Sequence, residues 1–323
     1  MTQVEALDIL KTGANVFLTG EPGAGKTFTI NKYVSYLRER DIEPAITAST
    51  GIASTHIGGM TIHSWSGIGI KENLSPYDLD KISTTEYVVR RIRKSKVLII
   101  DEISMLKAQT LDMVDAVCRE IKNSSEPFGG LQVILVGDFF QLPPIDKKFQ
   151  NENTKKQSQL IEEKVARFAY EANSWARLNP VVCYISEQHR QEDETFLQLL
   201  LAIRKNKLED DHYEYLKTRY IEKSNLPPNI TKLFSHNLDV DRVNDEMLSK
   251  IEGDSVKYDM DATGTPNLSA TLKKGCLSPE ILFLKKGAIV MCTKNNPKEH
   301  FVNGTLGTVV DFDAYSEIGR AHV

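Results

Sequence analysis

The sequence predicts an α/β fold with a parallel sheet over residues 1–145. Short apolar runs alternate there with stretches of helical periodicity, the pattern of parallel strands joined by crossover helices. The runs contain almost no polar residues, as expected for strands buried on both faces. They are Asn15–Thr19, Ala45–Ala48, Val97–Ile100 and Leu131–Val136. A glycine-rich segment after the first run makes this a predicted P-loop fold.

The composition is that of a globular protein with room for two domains. The chain has 323 residues and a formal net charge of −4, so any contact with nucleic acid must come from local basic grooves. No apolar run approaches the roughly 20 residues that span a bilayer. Four scattered cysteines have no spacing for zinc or disulfides. We therefore expect a cytosolic protein without a membrane partner, in the bacterial cytosol or nucleoid.

A loop and helical elements follow the first predicted domain. Residues 146–160 are polar and predict an exposed loop. Helical stretches are expected at Leu160–Trp175 and Phe196–Leu208, on either side of an apolar run at Val181–Ile185. Residues 146–228 should thus end the first domain and lead to a second.

A second α/β domain is predicted after the break at Pro227 and Pro228. We expect its first strand to begin at Ile230–Phe234, and residues 254–279, which are poor in apolar side chains, to form a surface insertion. The expected divisions of the chain are 1–145, 146–228, 229–317 and 318–323.

The segment from Gly20 to Thr27 fits the phosphate-loop pattern G-x-x-x-x-G-K-[ST], with a strand before it and a helix after it. Glycines let the backbone turn tightly and direct its N–H groups at phosphate oxygens. Lys26 is expected to reach the β- and γ-phosphates, and the Thr27 hydroxyl to bind Mg²⁺. The predicted phosphate-binding residues are Gly20, Gly23, Ala24, Gly25, Lys26 and Thr27.

Two carboxylates end the third buried run, before a helix predicted at Met105–Asn123. A strand that ends this way in a P-loop protein places Asp101 beside the Mg²⁺ and Glu102 beside the attacking water. Glu102 can accept the proton of that water, which favours hydrolysis over slow switching. The pair therefore predicts an ATP hydrolase.

The fourth run leads into Val136–Pro144, where Gly137, Asp138 and Gln141 stand in the order G-D-x-x-Q-L-P-P. This segment resembles motif III of superfamily-one helicases. In those proteins the glutamine senses the γ-phosphate and connects ATP to the DNA groove. A glutamine suits that role because its amide can donate to a phosphate and accept from a neighbour.

Two further segments, 47–53 and 58–69, resemble motif Ia and the adjoining DNA-contact segment of the Pif-type (petite integration frequency) helicases, a five-prime to three-prime branch. The resemblance to Pif-type sequences continues through residues 185–191, 193–208, 233–244 and 287–309. The resemblance implies two RecA-like domains, with ATP and Mg²⁺ as cofactors and single-stranded DNA as partner, in a monomer. It also implies that Arg190 is an arginine finger and that Gln3 contacts adenine. A surface salt bridge is the alternative for Arg190.

The same resemblance implies a DNA-binding set of Thr50, Gly51, His63, Ser64 and Trp65. Hydroxyl side chains beside glycines can bind the phosphate backbone of DNA. His63 and Trp65 offer rings on which bases can stack, although a core position is the alternative for Trp65. The basic run Arg90–Lys96 favours a solvated surface over a DNA contact.

The sequence departs from the Pif-type pattern in its last part. Motifs V and VI are not found, so the second RecA-like domain is expected to be incomplete. Ile318–Val323 can be encoded by the start of a common short-read sequencing adapter, and we expect that tail to be non-native. We expect the chain to bind ATP–Mg²⁺ but to hydrolyse it poorly and not to unwind DNA.

Two other classes stay open at this stage. A nucleotide-gated P-loop binding protein would need no DNA, but it leaves His63 and Gln141 unexplained. A RecD-like helicase would share motifs I to III, and the segments around His63 and Asn303 favour the Pif type over it. The preferred DNA structure, the biological pathway and a cellular or mobile-element origin are not predicted, and polarity follows from the resemblance alone.

Overall fold

The computed structural model describes most of the first 222 residues and parts of the rest. These residues are 1–50, 53–54, 58–144, 167–187, 193–222, 225, 232–234, 237–262, 273, 278–293, 296, 301, 305–312 and 320–322. Contacts divide the chain into two compact units, Met1–Thr218 and Arg219–Val323. Among the described residues, no helix is both long and apolar enough to cross a membrane.

The first unit is built on a six-stranded sheet with the order β3-β2-β4-β5-β1-β6, and every neighbouring pair is parallel. Its strands are β1 (Val16–Gly20), β2 (Ala45–Ala48), β3 (Met60–Thr61), β4 (Val97–Asp101), β5 (Gln132–Val136) and β6 (Val181–Ile185). The sheet confirms the α/β class and the strands predicted within residues 1–145, whose ends move by about one residue.

Helices cover both faces of this sheet. The helices of this unit are α1 (Gln3–Lys11), α2 (Lys26–Arg38), α3 (Ile62–Ser66), α4 (Pro76–Ser83), α5 (Glu86–Lys94), α6 (Ala108–Lys122), α7 (Asn173–Leu178), α8 (Glu194–Lys205) and α9 (Asp210–Thr218), of which α1 to α7 contribute to the cores on the two faces. Side chains alternate along each central strand: Leu98 joins the core under α6, whereas its neighbours Val97 and Ile99 join the core under α1 and α2. This alternation explains why the strands are apolar throughout.

Two expected helices lie where α6 and α8 are found, with different ends. A 3-10 turn at Ile103–Met105 precedes α6, and α8 begins two residues before the predicted start. Glu102, directly before this turn, has a left-handed backbone conformation that ends the extended strand.

The helix expected at Leu160–Trp175 is wrong over residues 167–172 and is found only from Asn173 onward. The chain forms a 3-10 turn at Ala169–Glu171, and α7 begins at Asn173. The Glu171 carboxylate accepts from the backbone N–H groups of Arg167 and Phe168, and the Phe168 and Tyr170 rings stack on each other. These local contacts replace the helical hydrogen bonds that the apolar spacing suggested.

The second unit contains one helix and two small antiparallel sheets among its described residues. They are α10 (Asn237–Ser249), β7 (Val256–Asp259) paired with β8 (Ile281–Leu284), and β9 (Ile289–Met291), β10 (Leu306–Asp311) and β11 (Arg320–His322) in the order β11-β10-β9. The strand expected at Ile230–Phe234 is wrong where it is described, because residues 232–234 lie outside any strand and Leu233 is exposed. Strand β7 lies within the expected insertion 254–279.

Asp115 joins three elements of the first unit and gives a stability prediction. Its side chain is 1% exposed and accepts from the Phe128 backbone N–H at 2.8 Å, from Arg119 at 3.1 Å and from Arg177. We expect Asp115→Ala to lower the free energy of unfolding by about 2–3 kcal/mol, because a buried N–H loses its acceptor. Urea unfolding followed by circular dichroism measures this. A change no larger than that of Glu86→Ala on the surface would contradict the assignment.

Candidate nucleotide and DNA site

The predicted site residues follow the carboxyl ends of the parallel strands, which meet at one edge of the sheet. The phosphate loop follows β1, Asp101 ends β4, and Gly137 and Asp138 follow β5. This edge is where open parallel sheets bind ligands. The fold therefore brings the three motifs together, although they are far apart in sequence.

The Lys26 side chain bonds back to the backbone of the phosphate loop in this structure. Lys26 Nζ donates to the carbonyl oxygens of Gly20 at 2.9 Å and of Glu21 at 3.2 Å. Burial lowers the pKa of Lys26, which the nearby carboxylates of Asp138 and Glu102 oppose. The amine thus lies between fixed carbonyl groups and carboxylates, a position from which it can move to a phosphate.

Gly25 begins α2 in the left-handed region, with φ +85°. A Cβ at this position would lie 2.1 Å from Nε2 of Gln3, whose side-chain amide donates to the Ala24 carbonyl at 3.1 Å. The Gln3 backbone N–H in turn donates to Glu187 at 2.9 Å. Gln3 therefore lies against the phosphate loop, and its contact with adenine stays a prediction.

Thr27 lies in the first turn of α2 and is exposed, so its hydroxyl is accessible to a metal or phosphate. The positive end of the α2 dipole points toward the same place. The exposed hydroxyl of Thr27 is therefore available for ligand binding.

Asp101 and Glu102, the acid pair, are adjacent carboxylates whose partial burial disfavours their negative charges. Asp101 Oδ1 accepts from the Glu102 backbone N–H at 2.9 Å, and Glu102 has a φ of +52°. Burial raises the pKa of Asp101; burial and the neighbouring Asp101 charge raise the pKa of Glu102. Burial thus disfavours both negative charges, and a bound cation would offset that cost. A left-handed non-glycine residue is strained, and such strain is typical of functional sites.

The donor set fits Mg²⁺ better than a metal held by the protein alone. The described residues contain no group of three histidine, cysteine or acidic side chains able to hold a metal. Mg²⁺ is commonly bound by one or two protein oxygens together with substrate phosphates. Thr27 and Asp101 match that arrangement.

A tight turn after β5 holds Gln141 against Asp138. The Gln141 backbone N–H donates to the Asp138 carbonyl at 2.9 Å, and its side-chain Nε2 lies 3.4 Å from Asp138 Oδ2. Gly137 is required because a Cβ there would lie 2.9 Å from Ile103, in the turn after Glu102. The start of the Gln141 turn thus packs against Ile103, the residue that follows the acid pair.

Arg204 belongs to the same site, and the sequence analysis assigned it no role. Its guanidinium forms an ion pair with Asp138 Oδ2 at 2.5 Å, and the side chain is 13% exposed. It also lies 4.4 Å from the centre of the Phe140 ring. Residues 193–208 resemble the Pif-type sequences, but that resemblance gives Arg204 no role, because its partner is 66 residues away and is reached only by the packing of α8.

The candidate DNA residues lie at the β2–β3 end of the edge. Thr50 follows β2, and the Thr50 hydroxyl accepts from the Ala53 backbone N–H at 3.2 Å. Ser64 is exposed on α3, and His63 is half-buried. Burial lowers the pKa of His63, which favours the neutral ring. Gly51 and Arg190 lie outside the described residues.

The DNA-stacking role expected for Trp65 is wrong. Its side chain is 3% exposed and packs in the hydrophobic core with Ile62 and Ile68. The core alternative applies because Ile62, Trp65 and Ser66 lie on one face of α3, at i, i+3 and i+4, and that face is buried. A base cannot reach that ring.

Sequence comparison identifies the family. The family described as PIF1-like helicase matches residues 2–214, about two thirds of the chain. The chain belongs to the PIF1-like helicase family. A second match, described as the 2B domain of DNA helicase Pif1, covers residues 267–312, within the segment expected to form a second domain with an insertion.

Individual members of the PIF1-like family resemble the chain over almost its whole length. It is 42% identical to the ATP-dependent DNA helicase Pif1 of Psychrobacter sp. (strain PRwf-1), over 97% of this chain and 46% of that protein. The chain thus spans about half the length of this relative. A crystal structure of Pif1 helicase from Candida albicans matches with a TM-score of 0.79 at 32% identity, covering 96% of this chain and 68% of the other.

A structure with bound ligands is also similar. Pif1 helicase from Bacteroides in complex with ADP-AlF3 and ssDNA matches with a TM-score of 0.70 at 30% identity. The match covers 96% of this chain and 69% of that chain. These similarities confirm the P-loop, RecA-like fold of the resemblance.

Proposed function

We propose that this chain is the ATP-binding and single-stranded-DNA-binding part of an ATP-dependent DNA helicase. One observation carries the proposal: the phosphate loop, the Asp101–Glu102 pair and the Gln141 turn converge at one sheet edge, and Glu102 is strained and poised as a base. The Bacteroides relative is in complex with ADP-AlF3 and ssDNA, which supports a nucleotide and ssDNA as ligands of this chain.

Each site residue has a role in hydrolysis under this proposal. Lys26 leaves the loop carbonyls and binds the β- and γ-phosphates of ATP, while Glu102 accepts a proton from the attacking water. Thr27 and Asp101 would hold Mg²⁺, which supplies neutralising charge on the phosphates. Gln141 donates its side-chain amide to the γ-phosphate, and Arg190 is the proposed arginine finger.

The strand order offers a route from nucleotide to DNA. Between the phosphate loop after β1 and Thr50 after β2 lie β5 and β4, which carry Gln141 and Glu102. From β1 to β2 there are three strand spacings of about 4.8 Å each, so the phosphate loop and Thr50 follow strands that lie roughly 14 Å apart. A change at the γ-phosphate can therefore pass through the Gln141 turn and the acid pair to the DNA residues. We propose that the protein acts in the cytosol as a monomer.

If Thr50 and Ser64 bind DNA, their substitution should weaken the affinity for DNA without changing the affinity for nucleotide. We expect Thr50→Ala and Ser64→Ala each to weaken binding of a labelled oligo-dT strand by about 1 kcal/mol, roughly fivefold, because a hydroxyl contact to the phosphate backbone is lost. Fluorescence anisotropy measures the DNA affinity, and a fluorescent ATP analogue measures that of the nucleotide, which should not change.

The matched control is Ser35→Ala on the exposed side of α2. Wild-type chain that binds no oligo-dT, with or without nucleotide, would overturn the DNA proposal and favour a nucleotide-gated binding protein. Equal weakening in the Ser35 variant would remove Thr50 and Ser64 from the DNA surface.

A further inference from the structure

We infer that Arg204 is the positioning residue that frees the Gln141 amide for the γ-phosphate. The inference rests on the proposed function, since it needs Gln141 to sense that phosphate. It concerns a residue on α8 that contacts no nucleotide itself in the proposed arrangement. Its effect passes through the carboxylate of Asp138.

Competition for one carboxylate oxygen is the physical basis. Asp138 is 1% exposed, so its charge must be compensated inside the protein. Its Oδ2 atom faces both Arg204 Nη1 at 2.5 Å and Gln141 Nε2 at 3.4 Å. The guanidinium makes the short, charge-assisted bond and leaves the amide a long, weak one. With Arg204 in place, Gln141 can therefore leave Asp138 at little cost.

Removal of the guanidinium reverses this preference. An uncompensated buried carboxylate attracts the strongest donor available, and the Gln141 amide is already 3.4 Å away. The amide would then stay on Asp138 and would not reach the phosphate. The other Asp138 oxygen is occupied, because Oδ1 accepts from the Phe140 backbone N–H at 3.1 Å.

Further contacts hold Arg204 in this place and connect it to the phosphate loop. The Phe140 ring lies 4.4 Å from the guanidinium, on the same turn as Gln141. Tyr184 lies near the guanidinium as well, and its hydroxyl donates to the Glu21 carboxylate at 3.4 Å. Arg204 thus contacts the turn of Gln141 directly and lies beside Tyr184, which bonds to the phosphate loop.

The test measures how well the 323-residue chain distinguishes a nonhydrolysable ATP analogue from ADP, both with Mg²⁺. The ratio of the two dissociation constants is compared for wild type, Gln141→Ala, Arg204→Gln and the double variant. We expect Gln141→Ala and Arg204→Gln each to reduce the preference for the ATP analogue about tenfold, and the double variant to reduce it no further. ADP affinity should stay unchanged.

A rescue variant separates positioning from folding. In Arg204→Gln with Asp138→Asn the buried charge is gone, so the Gln141 amide is released and the preference should return. Thermal unfolding is followed for every variant, and exposed Arg90→Gln is the control. If Arg204→Gln does not fold, Arg204→Lys, which keeps the charge but loses the planar fork, replaces it and should show a smaller loss.

The outcomes distinguish the inference from the function on which it rests. If Gln141→Ala keeps the wild-type preference, the sensing role of Gln141 fails. If Gln141→Ala loses the preference and Arg204→Gln keeps it, the Arg204 inference fails alone. A merely structural Arg204 would lower stability and weaken both nucleotides equally, and that result would also overturn the inference.

Discussion

Lys26→Ala is expected to reduce ATP hydrolysis about 10²–10³-fold, the usual cost of removing one preorganised donor to a transition-state charge. ATP–Mg²⁺ binding should weaken at least tenfold, since a hydrogen bond to a charged group contributes about 1.5–3 kcal/mol. In the structure the amine already has two loop carbonyls as acceptors within 3.2 Å, so it is held at the site before nucleotide arrives. Single-turnover hydrolysis and calorimetry measure the two effects.

Lys32→Ala is the matched control for Lys26, because Lys32 lies on the same helix with its side chain exposed. Its removal should change neither binding nor hydrolysis. Hydrolysis by Lys26→Ala at more than a tenth of the wild-type rate would contradict the phosphate-loop assignment.

Glu102→Gln is expected to separate binding from chemistry. Loss of the general base should slow hydrolysis about 10²–10⁴-fold, while the similar size of glutamine keeps the fold and removes a negative charge near the phosphates. ATP affinity should therefore be unchanged or higher. Asp101→Asn should differ, because it removes a proposed metal ligand and should weaken the Mg²⁺-dependent part of binding.

Comparison of these two acid variants checks the division of roles. Radiolabelled ATP hydrolysis gives the rate, and titration with Mg²⁺ at fixed ATP gives the metal dependence. Exposed Glu86→Gln is the control. If Glu102→Gln and Asp101→Asn lost metal dependence equally while turnover fell equally, Glu102 would be a ligand and not a base.

The nucleotide site was largely predictable because its signals are local. A phosphate loop needs glycines, a lysine and a hydroxyl residue at fixed spacing, and that spacing is read directly from Gly20 to Thr27. Asp101 follows a run so apolar that a buried strand was the natural interpretation. The parallel sheet then places both segments at one edge without further information.

Trp65 and Arg204 were not predictable from the sequence because their roles depend on packing. A tryptophan beside a predicted DNA segment can turn inward or outward, and α3 turns Trp65 inward. Arg204 becomes important only when α8 packs beside the end of β5 and meets Asp138. The predicted start of the helix before Trp175 was wrong for a related reason. The Glu171 carboxylate accepts hydrogen bonds from backbone N–H groups at that point, and the spacing of apolar residues carries no information on such bonds.

The most direct test of the account is ATP turnover by the chain with and without saturating oligo-dT, followed in parallel by DNA anisotropy. We predict slow turnover that rises severalfold with DNA, and no rise in Lys26→Ala or Glu102→Gln. Turnover that stays the same while anisotropy reports bound DNA would contradict the coupling of nucleotide and DNA sites, and with it the helicase proposal.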